Sequence, residues 1–283
     1  MDTQTISPET AAEEITTFQT GEVATITGGH FVHDTYSAFL APLLPLLRDR
    51  LGSGYAATGS LVIFMQLPSL LNPFIGYLAD KISLRYFVIL APGLTATLMT
   101  SMGFVSSYVG LALLLFATGI SIAMFHAPAP AMIARVSGPR VGKGMSLFMA
   151  AGELGRTLGP VIVVAGVGWF GLDGLWRLAF VGWGASAILY FRLRKVPTRI
   201  KKKDGAALRE MWPQVRRVFP LLAWLMVSRV MMSVALTTYL PIFISDEMEG
   251  SLWLAASALT ILEGAGVAGA LLAGSYSDRL GRA

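Results

Sequence analysis

The sequence predicts an all-α integral membrane protein built from two similar halves. Three observations predict it. Hydrophobic residues make up 54% of the chain and charged residues only 14%, where a soluble domain carries roughly 25% charge; the mean hydropathy is +0.62. Apolar runs of about 20 residues, the length a helix needs to cross a bilayer, recur between short polar turns. Finally, Gly76-Tyr77-Leu78-Ala79-Asp80 returns as Gly274-Ser275-Tyr276-Ser277-Asp278, an offset of 198 residues (274 less 76). A repeat of that length in so apolar a chain indicates two related membrane bundles.

The elements follow in order. Residues 1–26 form an acidic tail. Residues 1–47 contain no Lys or Arg but carry Asp2, Glu9, Glu13, Glu14, Glu22 and Asp34. A secretory signal needs a basic start, so the first apolar span is expected to be retained. Spans are predicted near 27–47, 56–79, 86–105, 109–133, 144–168 and 175–191, giving a six-span N-terminal bundle over 27–191. A basic linker at 192–217 follows. Spans near 218–244 and 252–276 then make a partial C-terminal bundle over 218–283. Pro42, Pro68, Pro73, Pro92, Pro160 and Pro241 fall inside spans, where lipid-embedded helices tolerate proline. Gly155-x-x-x-Gly159 allows two helices to approach closely.

The loops alternate in charge. One side holds Lys81 and Arg85, then Arg135, Arg140 and Lys143, then a linker with ten basic residues including Lys201-Lys202-Lys203, then Arg279 and Arg282. The other side holds Arg48, Arg50 and Arg177 with Asp173 and the acidic turn Asp246-Glu247-Met248-Glu249. Basic loops stay in the cytoplasm, so both termini and the linker are expected there, in a multi-pass protein of the plasma (inner) membrane. The net charge of +5 is topological or lipid-facing, not a nucleic-acid footprint. No cysteine is present, which excludes disulfides and Cys-based metal sites. Phosphate-cradling glycine loops, nucleophile elbows and zinc-protease helices are missing from the sequence, which argues against an enzyme.

Six spans, a basic linker and the start of a second block resemble the major facilitator superfamily over the whole chain after residue 26. The superfamily's loop after the second span of each half reads Gly-x-x-x-Asp-Arg-x-Gly-Arg. The second copy here matches throughout, with Gly274, Asp278, Arg279, Gly281 and Arg282. The first keeps Gly76 and Asp80 but has Lys81, Ser83 and Leu84, with Arg85 following. The resemblance implies that these loops brace neighbouring helices and hold one of two alternating gates. Gly29-His30-Phe31-x-x-Asp34-x-Tyr36 with Pro42-x-x-Pro45, then Phe125-His126-Ala127-Pro128, and Gly152-x-x-Gly155-x-x-x-Gly159-Pro160 are similar to the fosmidomycin-resistance group, which are drug exporters. Gly155, Gly159 and Pro160 also resemble the fifth-span packing element of proton-coupled antiporters, although Val163 and Val164 stand where that element carries glycine. The resemblance further implies a monomer when full length, and a chain that is C-terminally truncated, since four spans of the second half are missing.

Ionisable residues at mid-membrane cost ~2.5–3.5 kcal/mol each on insertion scales, so each needs a reason. The candidates are His30, His33 and Asp34 in span 1, His126 in span 4, Glu153 and Arg156 in span 5, Arg229 in span 7 and Glu263 in span 8. At ~1.5 Å of rise per residue, Asp34, His126 and Glu153 fall at similar depths. Asp34, His126, Glu153 and His33 are the candidates for proton coupling, because a sheltered carboxylate and a neutral imidazole both change protonation near physiological pH. Arg156, Arg229, Glu263 and Tyr36 are the candidates for substrate binding, the arginines by paired hydrogen bonds to an anion. Competing structural roles stand beside these. Glu153 and Arg156 could neutralise each other at i, i+3, and Arg229 could pair with Glu263. His30 could be interfacial, and His33 could simply be bonded within the bundle. A metal at the span-1 histidines is not expected, and neither is a cofactor.

The expected function is proton-coupled secondary transport, exporting a small drug-like or anionic compound by alternating access. An organic-anion uptake symporter of the same fold and a non-transporting fragment are the alternatives. The expected partners are the small-molecule substrate, protons and membrane lipid.

Overall fold

A computed structural model describes the backbone of residues 17–81, 85–194 and 205–280, and the side chains of 17–78, 85–194, 216 and 219–268. Every regular element among the described residues is helical. The predicted loop residues Asp80, Lys81, Gly274, Asp278 and Arg279 have undescribed side chains, and Gly281 and Arg282 lie outside the described residues altogether.

The first span, expected as one helix over 27–47, is two: α1 (Thr20–Ser37) and α2 (Leu40–Leu51). The reason is local. Pro42 and Pro45 have no N–H to offer the carbonyls of Ala38 and Ala41, and the ring of each crowds that same carbonyl. The ladder therefore breaks at Ala38–Phe39. The second span is α3 (Tyr55–Gln66), a 3₁₀ turn at Leu67–Leu71, and α4 (Asn72–Lys81). Pro68 and Pro73 cause that interruption in the same way. The third is α5 (Arg85–Thr100). The fourth divides into α6 (Tyr108–His126) and α7 (Ala129–Val136) at Pro128 and Pro130. The fifth is the unbroken α8 (Val141–Phe170), and the sixth is the shorter α9 (Ala179–Leu193).

In the second half α10 runs from Gly205 to Asp246. It thus begins inside the segment expected to be a loop, because Ala206 to Arg217 contains good helix formers and its single proline, Pro213, does not end it. The last helix is α11 (Leu252–Leu280). Among the described residues, five segments are long and apolar enough to cross a membrane: Tyr55–Leu78, Arg85–Phe104, Tyr108–Val136, Gly138–Phe170 and Phe219–Asp246.

The helix α1 lies inside the bundle, packed against α5, α8 and α9. Glycines on α8 permit this. A Cβ on Gly155 would sit 2.5 Å from the Phe31 carbonyl oxygen, and one on Gly159 would sit 2.6 Å from that of Thr35. Backbone therefore meets backbone, the contact small residues allow. Gly76 behaves differently: a Cβ there would meet no described atom within 4 Å. Large apolar side chains such as Phe180, Ile188, Phe191 and Trp224 face outward. At one end Arg177 lies over Trp176 and Phe170, the aromatic and cationic mixture of a membrane interface.

Candidate functional site

The site begins with Asp34, one turn before the α1 break and 1% exposed. Three positive or protonatable groups surround its carboxylate. Arg156 on α8 donates from Nη1 to Oδ2 at 2.7 Å. His126, the last residue of α6, places Nε2 3.1 Å from Oδ1. His30, one turn back on α1, places Nε2 3.3 Å from Oδ2. The arginine contact is a directed hydrogen bond, while the two imidazoles approach without hydrogen-bond alignment. Arg156 also pairs with Glu153, so one guanidinium joins two carboxylates.

Helix packing explains the convergence. Gly152 has no side chain to block His30 and Asp34, and a Cβ there would run into the His30 ring. The prolines after His126 end α6 at the depth where its side chain meets Asp34. Phe125 and Phe148 stack on His30, at 5.5 and 3.9 Å between ring centroids.

The hydrogen-bond partner of His30 selects its tautomer. Its Nδ1 lies 2.7 Å from the Phe148 carbonyl oxygen, and a carbonyl can only accept, so Nδ1 carries hydrogen. Nε2 then faces Asp34 either with a lone pair, which a carboxylate repels, or with a second proton, which it attracts. A proton shared among Asp34, His30 and His126 removes the repulsion. The three groups lie within 4.8 Å of one another, close enough to surround a cation. The Arg156 charge already bonded to the same carboxylate opposes a divalent ion there.

Asp34 opens onto a cavity of about 370 Å³ between the halves. His126, Glu153 and Arg156, each about a third exposed, line it from the first half. Arg229 from α10 and Glu263 from α11 line it from the second half. These two do not pair with each other as the sequence suggested. Glu263 instead lines the same cavity as Arg156 and Glu153 of α8, and Arg229 has no ion pair among the described residues. Ser233, Thr237 and Thr238 continue from Arg229 along the α10 wall. Leu40, Val62, Ile122 and Leu259 supply an apolar side.

Three sequence expectations are corrected. His30 is not interfacial: it is 3% exposed and touches the central carboxylate. Its i, i+4 spacing from Asp34 was the available signal. Tyr36 does not line the cavity: it is buried, and its hydroxyl donates to the Leu178 carbonyl at 2.5 Å. His33 is wholly enclosed, stacked 4.4 Å from the Phe125 ring, with neither nitrogen hydrogen-bonded and no access to the cavity.

Broken helices, a half-to-half cavity and charges gathered at its floor define a multi-pass helical membrane protein. The chain belongs to the major facilitator superfamily, whose pattern it matches over residues 26–283. It is 24% identical over 274 residues to the Fosmidomycin resistance protein of Escherichia coli (strain K12), covering 93% of this chain and 66% of that protein. It is also 24% identical over 148 residues to the Uncharacterized MFS-type transporter YfnC of Bacillus subtilis (strain 168), covering 50% of this chain and 36% of that one. The chain thus spans just under two thirds of the first relative's length and about a third of the second's.

Proposed function

We propose that this protein is a proton-coupled secondary transporter that exports a small anionic or amphiphilic compound by alternating access. The observation that carries this reading is the buried Asp34 carboxylate held between Arg156, His126 and His30 at the floor of a cavity whose opposite wall presents Arg229. A substrate anion entering the cavity competes with Asp34 and Glu153 for Arg156 and gains Arg229. Once Asp34 loses part of its compensating charge, it binds a proton, since an uncompensated carboxylate in a low-dielectric site is costly. By linkage, substrate and proton then favour each other at Asp34. That coupling suits uptake of an organic anion by symport in the same fold, as a second reading; the direction of proton-driven flux in vesicles decides between export and uptake. His126 passes the proton between Asp34 and the cavity, and Glu153 neutralises Arg156 when no substrate is bound.

The protein works without a cofactor and without enzymatic chemistry, as a monomer in the plasma (inner) membrane with both termini in the cytoplasm. The apolar wall beside the two arginines suits a substrate with one charged end and one less polar end. Fosmidomycin is the first compound to test, because a relative bears its name.

The deciding experiment measures efflux from vesicles carrying the full-length gene product under an imposed proton gradient. Asp34→Asn is expected to abolish gradient-driven efflux while leaving substrate binding intact. Unchanged gradient-driven efflux in that variant would remove Asp34 from the proton path.

A further inference from the structure

At the end of the bundle opposite Thr20, a second cluster of charge joins the two halves. Arg48 closes α2, and Asp246 closes α10. Arg48 Nη2 donates to Asp246 Oδ1 at 2.8 Å, and Nη1 donates to Oδ2. The Tyr55 hydroxyl donates to the same Oδ2 at 2.6 Å. The Arg48 guanidinium also lies 5.5 Å from the centroid of the Tyr55 ring. The two charged side chains are only 15% and 17% exposed. A forked, sheltered arginine–carboxylate pair is among the stronger polar contacts a protein makes.

Position gives the contact its meaning. Arg48 and Asp246 are 198 residues apart, the same offset that carries Gly76 onto Gly274 and Asp80 onto Asp278. They are counterparts in the two halves. Counterparts that touch must lie on the axis relating the halves, where identical charges would repel. Here the sequence places one charge of each sign. The neighbouring bridge from Arg50 to Asp173, at 2.7 Å, lies within the first half and leaves Asp173 68% exposed. It cannot hold the halves together.

We propose that Arg48, Asp246 and Tyr55 form a latch that shuts the cavity at this end and parts each time the transporter opens there. Asp34 and the cavity-lining Leu40 and Ala41 lie earlier on the same α1–α2 path, below the latch. Asp246 first and Asp49 second hold the Arg48 guanidinium above its ordinary range. The bridge therefore remains charged throughout the physiological range, and movement of the halves, not loss of a proton, is what breaks it.

Residues 1–283 contain no cysteine, so Ala41→Cys gives a single reporter in the full-length gene product once any cysteine outside these residues is replaced by serine. The measurement is its labelling rate by a membrane-impermeant maleimide applied to the Arg48 face. Arg48→Ala and Asp246→Ala are each expected to raise that rate about tenfold, the shift that loss of one strong charged pair produces in a two-state equilibrium. The exchanged pair Arg48→Asp with Asp246→Arg is expected to label as slowly as the parent. Arg50→Ala is expected to leave the rate unchanged. Unchanged labelling in both single variants overturns the latch, as does an exchanged pair that labels fast, or an Arg50→Ala variant that labels as fast as Arg48→Ala. Should the single variants fail to accumulate in the membrane, the exchanged pair decides alone. The latch requires only that the halves move, so it survives if Asp34 proves not to carry the proton.

Discussion

Asp34 on α1 and Arg156 on α8 are joined by a 2.7 Å hydrogen bond across a helix interface with almost no side chain between the backbones. The ion pair and the glycines belong to one design. Gly152, Gly155 and Gly159 let the helices approach, and that approach puts the carboxylate within reach of the guanidinium. Anything that separates the helices separates the charges too.

Gly155→Ala tests this coupling. The new methyl group would sit 2.5 Å from the Phe31 carbonyl oxygen and 3.0 Å from the Thr35 nitrogen, and backbone cannot rotate away as a flexible side chain can. Overpacking of this kind costs about 1–3 kcal/mol. The purified variant is expected to unfold at lower temperature than the parent, and to lose transport by more than its stability alone explains. Gly76→Ala, where a Cβ meets no described atom within 4 Å, should leave the unfolding temperature unchanged.

Arg229 is expected to set substrate affinity. It lines the cavity without an ion-pair partner among the described residues, so its charge is available to an incoming anion. Arg229→Ala should raise the substrate KM roughly ten- to a hundredfold, as expected for the loss of one charge-assisted hydrogen bond. Arg229→Lys should recover part of that loss, since a point charge remains but the planar fork does not. Equilibrium binding of the test substrate to purified protein checks both variants.

His30→Asn separates the two nitrogens of that ring. The asparagine amide can still donate toward the Phe148 carbonyl, where His30 Nδ1 now lies at 2.7 Å, but nothing replaces Nε2 beside Asp34. The variant is expected to lose some stability with the stacking on Phe125 and Phe148 and also to shift the pH profile of transport. A loss of stability with an unmoved pH profile would make His30 a packing residue only.

The fold was legible because apolar length and loop charge are properties of linear sequence. The interruptions at Ala38, Leu67 and Ala127 were legible in principle, since each stands just before or between prolines, but tolerance of proline in membranes hid them. The charged site was partly legible. Depth counting brought Asp34, His126 and Glu153 to one level, since rise per residue is fixed in any helix. Rotation about the helix axis was not legible, because nearly uniform apolar spans have no polar face to set it. That is why Tyr36 and His33 were placed with the cavity residues, and why Glu263 was paired with Arg229 when it shares a cavity wall with no ion pair to it. The contact between Arg48 and Asp246 needed both the repeat offset and the coordinates of two helices in different halves.

The proline joint at Ala38–Phe39 divides the first span mechanically. Below it, α1 is clasped by three neighbouring helices; above it, α2 leans on α10 of the other half. A tug delivered at the Arg48 tip can be absorbed by bending at this elbow, where the ladder of backbone bonds is already incomplete. The carboxylate below can then stay moored to its arginine while the tip swings. The two ends of one transmembrane segment are thus free to keep different schedules.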